Sequence, residues 1–146
     1  MPVVKGCKLP DDLLYDVENQ IWFKELGDGT VKVGMTAVAT AMAGKLVAFT
    51  PKGVGKDVKA GKSCATVESG KWVGPAKAAA AGQVVAVNEA VVATPSLAND
   101  DPYGNGWLIV LKPEGWDGVK ATLVPGAQVA GPYEAKMNAD GFAGCA

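Results

Sequence analysis

The sequence has 146 residues, of which 49% are apolar and 20% charged, enough for one folded domain with a buried core. Its net charge is −1 and all 14 basic residues are lysines, which argues against a nucleic acid partner because phosphate binding relies on a concentrated basic field. The chain has no histidine, the commonest general acid–base residue and metal ligand, so neither catalysis nor metal binding by its own side chains is expected.

The N-terminal residues 1–6 contain no apolar run long enough for a signal peptide. No later segment reaches the run of about 18 apolar residues that a membrane-spanning helix needs. We therefore expect a cytoplasmic protein without membrane association. In that compartment Cys7, Cys64 and Cys145 are expected to be reduced thiols. Their odd number and wide spacing fit neither a disulfide framework nor a zinc site.

The first clear pattern is a β-hairpin followed by a helix. Residues 19–26 and 30–35 predict two strands around a Gly-Asp-Gly turn, because the second strand alternates polar and apolar residues. The alanine-rich segment 36–43 predicts a helix, with Thr36 as its N-cap and Gly44 as its stop signal.

Short strands continue along the chain, and their pattern repeats. The segment that starts at Gly44 resembles the one at Gly82, and the segment that starts at Gly61 resembles the one at Gly104. Two similar halves, neither of which can cover its own apolar face, predict a pseudo-twofold β sandwich. The strands concerned are predicted over residues 45–50, 63–68, 82–88 and 106–111.

Lys71 lies in the connection between the two halves. Residues 69–81 link the last strand of the first half to the first strand of the second, and they include Gly70, Gly74 and Pro75. A lysine three residues beyond a strand end, beside a glycine, is expected to project from an exposed turn.

The C-terminal part is predicted to be less regular. Residues 125–137 predict a short helix or coil, and residues 138–146 a frayed end. Trp107 and Trp22 are expected to pack in the core. Cys64 lies in a strand pattern and is expected to be an unreactive core residue.

The residues around Lys71 resemble a known family. Residues 68–71, Glu-Ser-Gly-Lys, are similar to the Glu-Ser-Val-Lys lipoylation site of the glycine cleavage system H protein. Residues 34–36 are similar to its Gly-Ile-Thr, residues 85–90 to its Val-Asn-Glu/Asp-Ala, and residues 99–108 to its Asn-x-Asp/Glu-Pro-Tyr-x-x-Gly-Trp. The resemblance covers about residues 13–136 with little need for gaps. Four motifs in the same order are far more specific than the attachment motif alone.

The resemblance implies a mainly β fold of the barrel-sandwich hybrid type of lipoyl and biotinyl domains, pseudo-twofold, with short flanking helices. Residues 1–146 would form one lipoyl-carrier domain, with its core at about 13–136 and the terminal tails outside it. Lys71 would carry lipoate in amide linkage. The chain would be a cofactor-bearing carrier and not an enzyme, a substrate of lipoate–protein ligase or an equivalent enzyme. The turn that this enzyme recognises would include Glu68, Ser69, Gly70 and Trp72.

The sequence also departs from the H protein pattern. The family usually continues Ala-Ala/Val-Ser-Asp after the lysine, whereas residues 72–75 are Trp-Val-Gly-Pro. The family's His-Glu-Trp is replaced by Asn-Gln-Ile-Trp at residues 19–22, and Cys7 and Cys145 lie outside the shared core. This combination resembles the lipoate-binding proteins of the heterodisulfide-reductase-like pathway of sulfur oxidation.

That second resemblance implies a swinging arm that carries sulfur intermediates to a heterodisulfide-reductase-like complex, with a dihydrolipoamide dehydrogenase-type enzyme as a further partner. The alternative is a glycine cleavage H protein, whose arm carries an aminomethyl group between partner enzymes. A biotinyl carrier shares the architecture, but its usual Met-Lys-Met is absent. An unmodified interaction module also remains open.

Two features outside the motif have more than one interpretation. Trp72 could shield the dithiolane, since sulfur packs well against aromatic edges, or it could simply anchor the turn. Cys7 and Cys145 could form a redox pair if both termini fold back to the same side. The sequence alone favours two separate thiols on flexible tails.

Overall fold

Twelve short strands and five short helices run through residues 3–145, the part of the chain that the computed structural model describes. The strands are β1 (Val3–Val4), β2 (Cys7–Lys8), β3 (Leu14–Asp16), β4 (Ile21–Glu25), β5 (Val31–Met35), β6 (Leu46–Pro51), β7 (Asp57–Val58), β8 (Lys62–Ser69), β9 (Val73–Ala78), β10 (Gly82–Val87), β11 (Ile109–Pro113) and β12 (Val124–Pro125). The helices are α1 (Ala37–Ala43), α2 (Glu89–Ala93), α3 (Leu97–Asp100), α4 (Trp116–Lys120) and α5 (Ala130–Ala139), with a 3-10 turn at Gly126–Gln128.

The larger sheet has seven antiparallel strands in the order β12-β3-β4-β5-β11-β10-β7. Its centre is the predicted hairpin, which is confirmed: Ile21 lies opposite Met35, and Phe23 opposite Val33. These four side chains are buried, because alternate residues of each strand point towards the core.

The smaller sheet contains three antiparallel strands in the order β6-β8-β9. Strand β9 was not predicted, because Gly74 and Pro75 hide the strand signal in a segment that otherwise reads as a linker. Proline is tolerated here since β9 lies at the edge of its sheet. The strand still alternates: Val73 and Lys77 are exposed, and Ala76 is buried.

The internal repeat is visible in the strand pairing. The register of β6 against β8 shifts at Val47, and that of β10 against β11 shifts at Val85, which is the equivalent position of the repeat. The strand pairing makes Glu68 equivalent to Val110. The match between the segments that start at Gly61 and Gly104 is therefore displaced by one residue in the structure. A β-bulge at the same place in both halves supports an internal duplication.

The core consists of two apolar clusters. One joins the inner faces of both sheets, and the other packs α1 and α5 against the outer part of the larger sheet. Fully buried members of the first include Phe23, Val33 and Leu111, and those of the second include Tyr15 and Tyr133.

Two tryptophans differ in burial. Trp22 is completely buried, and its indole N–H donates to the Met35 carbonyl at 3.0 Å. Trp107 packs against the second apolar cluster, as expected, but is only half-buried, with the Lys32 ammonium 5.4 Å from the centre of its ring. Cys64 is buried as predicted, and burial raises the pKa of its thiol to about 12, which keeps it protonated and unreactive.

Helix α1 begins and ends where the sequence predicts. The Thr36 hydroxyl accepts a hydrogen bond from the Ala39 N–H at 3.1 Å, and it also bonds the Tyr133 hydroxyl at 2.6 Å. Gly44 closes the helix with its N–H on the Thr40 carbonyl and a φ of +85°, a left-handed conformation that favours glycine.

The described residues next to both termini, 3–8 and 140–145, pack on the protein, contrary to the prediction of loose tails. Strands β1 and β2 form a hairpin around Lys5 and Gly6, both with positive φ. The C-terminal tail returns to this hairpin, where the Cys145 N–H donates to the Lys5 carbonyl at 2.9 Å. Cys7 and Cys145 form a disulfide, so the expectation of separate reduced thiols is wrong for this pair.

We expect the Cys7→Ser/Cys145→Ser variant to lose about 3 to 5 kcal/mol of unfolding free energy, because the bond closes a loop between residues 138 apart. Urea denaturation followed by circular dichroism measures this. A thiol reductant should destabilise the wild-type chain and leave the double variant unchanged. Equal midpoints for the wild type and the variant without reductant would show that the pair adds no stability.

Candidate functional site

Lys71 lies at the tip of the turn between β8 and β9. The last pair of the ladder is Glu68 opposite Val73, and beyond it the Ser69 N–H donates to the Trp72 carbonyl at 2.7 Å. Gly70 and Lys71 therefore form the exposed tip of the turn that joins β8 to β9.

The side chain of Ser69 fixes the backbone of this turn. Ser69 is only 5% exposed. Its hydroxyl accepts a hydrogen bond from the Lys71 N–H at 3.3 Å and donates one to the Trp72 carbonyl at 3.4 Å. The backbone of Lys71 is thus held by a hydrogen bond to the side chain of Ser69.

The aliphatic part of the Lys71 side chain lies over the end of α1. A Cβ atom added to Gly44 would come within 3.1 Å of Lys71 Cε, so the absence of a side chain at Gly44 leaves room for the stem. Among residues 3–145, the ammonium of Lys71 has no ion-pair partner. Acylation at this nitrogen would consequently break no salt bridge.

A groove of about 470 Å³ runs beside Lys71, between β4, α1 and β9. Its wall is mostly apolar and includes Met35, Met42 and Trp72. The polar residues that line it are Asn19, Gln20 and Lys71, and no acidic residue among the described residues 3–145 does so. The other lining residues are Ile21, Ala39, Ala43, Pro75 and Ala76.

The two amides are held in place by further contacts. Asn19 donates from its amide to the Asp16 carboxylate at 2.8 Å. Gln20 has a φ of +59°, a left-handed conformation that costs a non-glycine residue about 1 to 3 kcal/mol. The side-chain oxygen of Gln20 accepts a hydrogen bond from the Tyr133 hydroxyl at 3.2 Å, and its side-chain nitrogen donates one to the sulfur of Met42 at 3.5 Å.

Trp72 is anchored and exposed at once. Its ring lies directly on Gly74, where an added Cβ would sit only 2.4 Å from Trp72 Cζ2. The residue is nevertheless 41% exposed and forms one wall of the groove. Both interpretations of Trp72, an anchor of the turn and a cover for sulfur, are compatible with this position.

The structure brings together five of the seven predicted site residues, Glu68 to Trp72, in one turn. Cys7 and Cys145 lie elsewhere: Cys145 Sγ is 3.8 Å from the carbonyl of Ala37, at the start of α1, whereas Lys71 contacts the end of that helix. A helix of seven residues is about 10 Å long. Sequence reasoning did not predict that Gly44 leaves room for the side chain of Lys71, or that Gly74 lies under the ring of Trp72.

Residues 13–135 match the family model described as Glycine cleavage H-protein. The chain is 52% identical over 134 residues to glycine cleavage system H protein 5 of Aquifex aeolicus (strain VF5), covering 89% of this chain and 90% of that one. It is 41% identical to a probable glycine cleavage system H protein 2 of Sulfurisphaera tokodaii, with 89% of both chains covered. A crystal structure of a glycine cleavage system H protein from Mycobacterium marinum superposes with a TM-score of 0.74 at 36% identity, covering 88% of this chain and 98% of that one. The predicted mainly β, barrel-sandwich fold is confirmed.

No helix within residues 3–145 is both long and apolar enough to cross a membrane. The same residues contain no group of three or more histidine, cysteine or acidic side chains that could hold a metal ion.

We expect Ser69→Ala to loosen the turn, because it removes both hydroxyl contacts and costs about 1 kcal/mol of unfolding free energy. Amide hydrogen exchange at Lys71, followed by NMR, should become faster. Ser63→Ala is the matched control, since Ser63 lies at the far end of β8. Unchanged exchange at Lys71 in Ser69→Ala would show that the backbone alone holds the turn.

Proposed function

The chain belongs to the glycine cleavage H-protein family, and from this we propose that Lys71 is the lysine to which its lipoate is attached. Proteins of the family carry covalently attached lipoate on a lysine, and they act as carriers that work with lipoylation enzymes and partner enzymes. One observation carries the choice among 14 lysines: Lys71 ends the lipoylation-like motif and lies at the exposed tip of a turn whose backbone is held by hydrogen bonds.

The residues around Lys71 suit a lipoyl group. When attached, lipoate supplies a cyclic disulfide that opens to two thiols on reduction. Met35, Met42 and Trp72 give the adjacent groove a polarizable, apolar wall, which is the surface that such sulfur atoms contact favourably. The remaining role of this chain is to hold the base of the arm still and to present it to partners.

For the cargo we propose sulfur intermediates, passed to a heterodisulfide-reductase-like complex in the cytoplasm, with a dihydrolipoamide dehydrogenase-type enzyme as a further partner. The groove supports this proposal by what lines it. An aminomethyl group ends in an amine that is protonated near neutral pH and calls for a carboxylate, whereas this groove offers two amides and two thioethers. Pro75 occupies the position where the H protein pattern has aspartate.

The alternative is an aminomethyl carrier of the glycine cleavage system. The names of the most similar relatives favour it, since they are described as glycine cleavage system H proteins. The two proposals share the attachment at Lys71 and differ only in the group that the arm transfers.

Cys7 and Cys145 remain a proposed redox pair. The disulfide supports it, as does the partial exposure of Cys145. Treatment of the folded wild-type chain with a dithiol in the absence of urea, followed by thiol alkylation and intact mass, reports whether this bond opens in the folded protein.

Intact mass spectrometry after expression with lipoate and a lipoate–protein ligase tests the attachment site. We expect one lipoyl group on the wild-type chain and none on Lys71→Arg. Lys77→Arg, in the adjacent strand β9, should be loaded like the wild type. An unmodified wild-type chain in a host that lipoylates its own carriers would reject the proposal.

The cargo is tested by offering the loaded chain to a glycine decarboxylase with glycine. We expect no aminomethyl adduct on this chain by intact mass. The lipoylated H protein of Mycobacterium marinum is the control that should acquire the adduct. Pro75→Asp places a carboxylate at the rim of the groove and should increase aminomethyl loading. Loading of the wild-type chain at the rate of the control would favour the alternative function.

A further inference from the structure

The charges of this chain are segregated along the sequence. Residues 45–77 contain seven lysines and two carboxylates, a net charge of +5. The remainder contains seven lysines and 13 carboxylates, a net charge of −6, which together give the overall −1. The basic segment thus comprises the three-stranded sheet and the loops that flank and join its strands, and the rest of the sequence is acidic.

The seven lysines of this segment are exposed, and none of them has an ion-pair partner among the described residues 3–145. Among residues 3–145, ion pairs join Lys120 to Glu25 and Lys136 to Glu18 and Asp140, all outside the segment. An unpaired lysine on a surface contributes an attractive field that is available to a partner. The seven are Lys45, Lys52, Lys56, Lys59, Lys62, Lys71 and Lys77.

The solvent side of β6, β8 and β9, here called the outer face, changes in character along its length. Beside the Lys71 turn it carries two exposed valines, Val47 at 57% and Val73 at 60%, with the exposed Glu68 between them. Its middle is a row of Thr50 and Thr66 with Pro75.

The far end of the outer face is basic. Lys77 lies opposite Ser63 there, and a second groove of about 470 Å³ adjoins it. Lys52, Lys59 and Lys62 line this groove, with Asp57 as the one carboxylate among its lining residues. From Lys62 to Ser69 the strand extends about 23 Å, so a partner of ordinary size can cover both ends of the face.

We propose that the outer face is the docking surface for the enzyme that lipoylates Lys71, and that this enzyme meets it with an acidic surface. The inference rests on the proposed attachment at Lys71. An enzyme that acylates Lys71 has to bind next to it, and the exposed valines Val47 and Val73 adjoin that lysine. The apolar residues next to Lys71 supply contact area, and the lysines at the far end of the face select the partner and accelerate its approach.

Other polyanions fit this face less well than an acidic protein. Nucleic acid recognition uses arginine and stacked aromatic rings, but the chain has no arginine and the outward residues of the three strands include no aromatic ring. Membrane adsorption needs a broad apolar surface beside the basic one, whereas Glu68 stands between Val47 and Val73 here.

The test compares two double charge reversals with the same net charge. Lys62→Glu/Lys77→Glu changes the outer face, and Lys24→Glu/Lys112→Glu changes exposed lysines of the seven-stranded sheet. Lipoylation by purified lipoate–protein ligase is followed by intact mass to obtain kcat and KM. We expect the first variant to raise KM about tenfold at low salt with kcat within about twofold, and the control to match the wild type. The difference should shrink at about 0.5 M salt.

Failure of the proposed function and failure of the docking surface give different results. A wild-type chain that is never modified at Lys71 contradicts the proposed function. Modification at Lys71 with equal KM for both charge-reversal variants overturns the docking surface alone. Lys62→Gln/Lys77→Gln gives a milder change in the same direction and guards against misfolding of the reversal, which circular dichroism also checks. Binding of Lys71→Arg to the ligase supplies a readout without turnover. Tighter binding of this variant to duplex DNA or to anionic phosphatidylglycerol vesicles than to the ligase would likewise overturn the proposal.

Discussion

The packing of the three-stranded sheet onto the seven-stranded sheet is the constraint on which the rest of the site depends. The turn at Lys71 is only as rigid as the ladder of β8 and β9, and that ladder is fixed because its inner residues, such as Val67 and Ala76, are buried in the shared core. Small alanines on β9 let the sheets approach closely. A carrier needs this arrangement, since the position of a long flexible arm is defined only at its base.

The elements that depend on local sequence signals could be predicted, whereas those that depend on tertiary contacts could not. The hairpin of β4 and β5 and the helix α1 follow from alternation, a Gly-Asp-Gly turn, Thr36 and Gly44, which act within a few residues. Strand β9 escaped prediction because its glycine and proline are acceptable only at a sheet edge, and the sequence does not show which strand is the edge.

The candidate site was likewise predictable only in part. The attachment turn could be predicted because its motif is continuous in sequence, from Glu68 to Trp72. The groove could not, since residues from three separate elements form it and Gln20 adopts a left-handed conformation that no local pattern indicates. The different burial of Trp22 and Trp107 was not predictable either, because the sequence shows that both are apolar and the extent of cover depends on the tertiary packing around each.

The disulfide has a topological consequence. The bond between Cys7 and Cys145 makes residues 7–145 a covalent ring. A protease that cuts one exposed loop of such a ring opens it without releasing a fragment. The bond that closes the ring lies near the start of α1, while Lys71 lies at the other end of that helix. The closure of the ring is therefore separated from the arm by the length of the helix.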